Sequence, residues 1–92
     1  MFQVELITPE KIIYKGQALS LLGPGKLGLF GILTNHAPLV NALKKGAIKI
    51  EQEDHSQKKF EISGGLLEVN KNHVVILADA VQDGQKKDGP EA

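Results

Sequence analysis

The chain has 92 residues, 41% apolar and 24% charged, enough for one soluble domain with an ordinary core. Eleven cations balance eleven carboxylates. Every cation is Lys, and only four side chains are aromatic, so neither charge steering, arginine-type phosphate or base recognition nor base stacking points to nucleic acid. Cys is absent, which removes disulfides, thiolate metal sites and a Cys nucleophile. No apolar run is long enough to span a bilayer, and the first residues alternate like a strand rather than like a signal peptide. The chain therefore reads as one kept in a cytoplasm-like compartment.

Period-two patterning predicts strands in chain order. Phe2, Val4 and Leu6 alternate with Gln3 and Glu5 until Thr8-Pro9-Glu10 breaks the run. Lys11 to Leu22 is a longer extended stretch, with a bulge or bend expected at Gly16. Ile48 and Ile50 pair with Phe60 and Ile62 as a hairpin across the polar turn Gln52 to Gln57. Leu67 and Val69 lead through Asn70-Lys71-Asn72 to an apolar strand from His73 to Ala78, whose continuity implies two covered faces, in a packed sheet or at an intersubunit surface. Short strands, Gly, Pro and Asn turns and no helical stretch give an all-β sandwich over residues 1–79. Residues 80–92 carry almost no apolar side chain beyond Val81, and are expected to form a flexible polar tail. A core of about 80 residues without staples is marginal, which favours a partner surface.

The segment Gly23 to Leu39 has glycines at 23, 25, 28 and 31 with large apolar residues between, and reads as looped or bulged. Phe30 is expected to close one end of the core, and Leu29 to be the more exposed of the two. The letters Gly23-x-Gly25-x-x-Gly28 match a dinucleotide pattern. Gly31 and Pro38 interrupt the helix that such a site needs, so no phosphate site is expected. His36, His55 and His73 lie too far apart for a local ligand motif, and Ser63 before Gly64-Gly65 is not a nucleophile elbow. No catalytic, cofactor-binding or metal-binding residue is assigned. A small-ligand-binding β-sandwich, with a pocket near the glycine segment, is the competing reading, and a metalloenzyme using the three histidines the third.

Six pieces in register decide between these. They are Val4-Glu5-Leu6-Ile7-Thr8-Pro9-Glu10, Pro24-Gly25-x-x-Gly28-x-Phe30-Gly31-Ile32-Leu33 and His36-Ala37-Pro38-Leu39-Val40, then Leu43-Lys44-x-Gly46, Ile62 to Val69 and Val74 to Asp79. In this order they resemble the epsilon subunit of F-type ATP synthases over residues 2–79. The resemblance implies a sandwich of two five-stranded antiparallel sheets, binding no cofactor. It also implies a non-catalytic central-stalk subunit that links the gamma subunit to the membrane c-ring and couples proton flow to ATP synthesis. Its place would be peripheral, on the cytoplasmic face of a bacterial inner membrane or the plastid equivalent, without insertion. The partner surface is expected among Lys26, Leu27, Leu29, Phe30, Ile32, His36, Ala37, Pro38, Leu39 and Asn41. Relatives often carry acids where this chain has Lys26-Leu27 and Leu29, which predicts a more apolar, less salt-sensitive ring contact. Family members commonly continue into an inhibitory, sometimes ATP-binding, pair of helices, and the sequence to Ala92 is expected to provide neither.

Overall fold

A computed structural model describes residues 1–83. Its nine strands are β1 (Phe2–Ile7), β2 (Ile12–Gly25), β3 (Gly28–Leu33), β4 (Leu39–Leu43), β5 (Gly46–Gln52), β6 (Gln57–Ile62), β7 (Gly65–Asn70), β8 (His73–Ala78) and β9 (Val81–Asp83). Strand β2 is long enough to serve two sheets. Its first half pairs with β1, and its second half with β3 and β5. One sheet thus runs β2-β1-β8-β7-β4 and the other β3-β2-β5-β6-β9, the two five-stranded layers that the resemblance implies. The central β1–β8 pair is parallel, and every other pairing is antiparallel.

Alternation fixes the core. Val4, Leu6, Leu67, Val74 and Ile76 from the first sheet meet Leu21, Ile32, Ile48, Ile50 and Ile62 from the second, all at most 2% exposed. Burial of that much apolar surface is the main stabilising term, and the close packing leaves a stiff body.

Three expectations need correction. The irregularities of β2 do not fall at Gly16, which pairs in register with Val4. They fall between Leu6 and Ile7 on β1, and between Ala18 and Ser20, where β2 passes from one sheet to the other. Gly16 instead makes room for Tyr14, since a Cβ there would lie 2.8 Å from the phenol oxygen. Second, Gly23 to Leu33 is a regular two-stranded ladder around the two-residue tip Lys26-Leu27, not a loop. Glycine is needed because the Phe30 ring covers the strand: a Cβ on Gly23 would lie 2.8 Å from it, and one on Gly25 3.0 Å. Third, Val81–Asp83 forms an edge strand against Phe60–Ile62, where the expected tail would begin. The outer edge of β6 has backbone groups to satisfy, and Val81 packs on the core. The rest of that tail lies outside the described residues.

Candidate functional surfaces

Strand β3 separates the expected surface residues into two groups. Lys26 and Leu27 form the tip before β3, and His36, Ala37 and Pro38 form the loop after it, so a strand of roughly 17–20 Å lies between them. At the tip, Leu27 is 103% and Leu29 79% exposed, while Phe30 is half-buried against the core. Leu29 is thus the freer of the two, as expected. Ile32 is 1% exposed and belongs to the core: it pairs with buried Leu21, so its side chain cannot meet a partner. Leu39 and Asn41 are half-buried because they pair with core residues Val69 and Leu67, which turns them inward.

The loop after β3 is held from outside. The His36 N–H donates to the Leu33 carbonyl at 3.2 Å, and Asn35 takes a φ of 65°, the signature of a tight turn with a left-handed third residue. Asn35 serves where a glycine is the usual choice. The His36 ring donates through Nδ1 to the Ala37 carbonyl at 2.8 Å. Ala37 and Pro38 remain exposed.

Two apolar surfaces emerge that residue-by-residue reading missed. On the outside of the first sheet, Ala42 lies opposite Leu66, Leu66 opposite Leu77, Leu77 opposite Ile7 and Ile7 opposite Ile12. This rung crosses all five strands, a span of about 19 Å. Leu66, Leu77 and Ile12 are 41%, 50% and 56% exposed, and Val40 on the next rung 63%. That next rung also carries Glu68, Val75, Glu5 and Lys15, with His73 Nε2 3.4 Å from Glu5. The signal was present in the sequence: Leu66 and the run from Val74 to Ala78 break the polar half of the alternation. Within the chain that run leaves an open apolar face and not one covered by a second layer, so the intersubunit surface remains of the two settings expected. On the outside of the second sheet, Leu22, Leu29 and Leu33 surround Gly31, and the strands beyond them carry Lys49, Glu51, Lys59 and Glu61.

The two larger concavities among the described residues are open and mainly polar. One of about 570 Å³ lies among Tyr14, Lys15, Gly16, Gln17, Gln52, Glu53 and Asp54. There the Tyr14 hydroxyl donates to Gln52 at 2.8 Å, and burial, then the Asp54 charge, raises its pKa. A groove of about 450 Å³ at the hairpin end is lined by Lys26, Lys44, Ser63, Asp79, Leu66 and Leu77 among others. The histidines do not converge: His55 pairs with Glu51 and His73 with Glu5, and the described residues hold no group of three or more metal ligands. Among these residues no helix is long and apolar enough to cross a membrane.

Comparison with known proteins agrees with this architecture. Residues 1–84 match the family model of the ATP synthase delta/epsilon chain β-sandwich domain. The ATP synthase epsilon chain of Chlorobium limicola is 39% identical over 80 residues, covering 87% of this chain and 91% of that one. That of Leptospira borgpetersenii is 49% identical over 76 residues, covering 83% of this chain and 59% of its own length. The chain thus spans most of one relative and little more than half of the other. Among solved structures, a chain of the Euglena gracilis mitochondrial ATP synthase, OSCP/F1/c-ring, superposes with a TM-score of 0.82 at 23% identity, covering 87% of this chain and 51% of its own. One from the Tetrahymena thermophila central stalk/c-ring gives 0.73 at 21%, covering 97% and 71%. At such identities the likeness is one of fold.

Proposed function

The chain belongs to the ATP synthase delta/epsilon β-sandwich family, and from that membership we propose that it is a non-catalytic rotor subunit joining the gamma subunit to the c-ring. The observation that carries this reading is the pair of exposed apolar surfaces on one stiff body. A part that transmits torque between two partners needs rigidity and two places of adhesion, and no chemistry of its own.

The flat rung from Ala42 to Ile12, with the Val40 rung beside it toward the His36 to Pro38 loop, suits an elongated partner such as gamma. An apolar face of this extent on a small domain marks an interaction site. The projecting hairpin, with Leu27 and Leu29 standing clear, suits the spaced loops of a ring. Its location would be peripheral, on the cytoplasmic face of a bacterial inner membrane. Coupling of proton flow to ATP synthesis follows from turning with both partners. Co-purification of gamma and c-ring on the immobilised full chain tests the reading, and recovery of neither from a folded chain contradicts it.

A further inference from the structure

Eighteen positions separate Lys26 from Lys44 in the sequence, and the fold places them side by side. The Lys26 N–H donates to the Ala42 carbonyl at 3.0 Å and the Lys44 N–H to the Pro24 carbonyl at 2.9 Å, pinning the hairpin tip to the β4–β5 loop. Lys45 follows in that loop. All three side chains are exposed, and among the described residues none is in an ion pair. Among the described residues Asp79 is the only carboxylate lining the groove that Lys26 and Lys44 share. Beside these ammoniums stands Leu27, with Leu29 next to it on β3. Lys45 lines a neighbouring groove with Glu61, which already stands 3.9 Å from Lys59. The hairpin end is therefore an apolar knob flanked by three lysines, with Asp79 and Glu61 the nearby carboxylates among the described residues.

We infer that this end docks on a protein surface that presents carboxylates around an apolar socket. The inference rests on the reading of the hairpin as the ring-facing end, and it names the chemistry of the loops met there. Opposite charges brought onto three neighbouring lysines attract them, and steer approach. An anionic bilayer is the weaker match, because polybasic membrane segments carry roughly four to eight cations. This chain offers three here, with a formal net charge of +0. This inference departs from the expectation of a less salt-sensitive contact. That expectation saw one lysine in the loop, and the fold supplies two more.

The test measures binding of the full chain to detergent-solubilised c-ring from the same source, and to phosphatidylcholine vesicles containing about 30% phosphatidylserine. The comparison is with the triple variant Lys26→Gln/Lys44→Gln/Lys45→Gln. Wild-type affinity for the ring should fall about tenfold between about 0.05 and 0.5 M salt, and the variant should start about tenfold weaker and barely respond. Equal ring binding by both proteins would overturn the inference and leave the rotor reading standing. Vesicle binding lost in the variant, with ring binding unchanged, would overturn it in favour of lipid. A folded wild-type chain that does not bind the ring would overturn both.

Discussion

Asn35 and Asn72 hold each other in both directions: the Asn35 N–H donates to the Asn72 side-chain oxygen at 2.6 Å, and the Asn72 amide donates to that of Asn35 at 3.0 Å. Both have positive φ, and with Lys71 at 52° Asn72 completes the two-residue turn between β7 and β8. The pair fastens the His36 to Pro38 loop to that turn. Asn72→Gly keeps the backbone shape and deletes both bonds. Global stability should fall by no more than about 1 kcal/mol, because Gly suits the turn, while the Asn35 amide exchanges about tenfold faster. Unchanged exchange would show that the loop holds its place without the clamp.

Two glycines should respond unequally to the same substitution. A Cβ on Gly65 would lie 2.2 Å from the Leu77 carbonyl oxygen and 2.9 Å from the Ala78 Cα, both backbone, at a φ of 154°. Gly65→Ala should cost more than about 3 kcal/mol, because the β7–β8 ladder must part. At Gly28, with φ 137°, no atom lies within 4 Å, so Ala there meets backbone strain alone, about 1–2 kcal/mol. Urea denaturation of the two variants checks the order.

The Phe30 ring and Gly23 form one packing unit. Phe30→Ala should destabilise by about 2–3 kcal/mol, less than for a fully buried ring. Gly23→Ala pushes the ring outward, and its cost should shrink when Phe30 is already Leu. A double-mutant cycle measures this coupling, and strict additivity would deny the contact.

The β5–β6 turn should be acid-sensitive. Hydrogen bonds from His55 at 3.0 Å and Ser20 at 3.1 Å hold Glu51 below the ordinary carboxylate range, and Ser56 does the same for Asp54. A depressed folded-state pKa contributes stability above the unfolded value, and that contribution is lost as pH falls through the folded one. The turn should therefore be constant near neutrality and loosen below about pH 4. The Ser56 amide shift, followed by NMR, should titrate with a lower midpoint than in the isolated turn peptide. An equal or higher midpoint would contradict the assignment.

Strands were legible because each half-buried strand alternates, and the β5–β6 and β7–β8 turns carry polar residues that cannot be buried. The greater exposure of Leu29 than of Phe30 was legible too. What depended on long-range pairing was not. Ile32 looks like its exposed neighbours until its register with Leu21 turns it inward. The short strand at Val81 has too few residues to show a period, and exists because β6 has an open edge. The rung from Ala42 to Ile12 takes one residue from each of five strands, and the lysine cluster joins two loops. The run from Val74 to Ala78 signals an apolar outer face, but only long-range pairing shows which residues share the rung or bring Lys26 to Lys44.

The account holds that one rigid body bears two partner surfaces, which adjoin at Leu66 and Leu77. The most direct measurement is the affinity of the full chain for gamma and for the c-ring, compared with Ile12→Ser/Val40→Ser and Leu27→Ser/Leu29→Ser. All four positions are exposed, so both variants should fold. The first should lose gamma by about tenfold or more and keep the ring, and the second should do the reverse. Equal loss of both partners in either variant, or full binding by both variants, would contradict it.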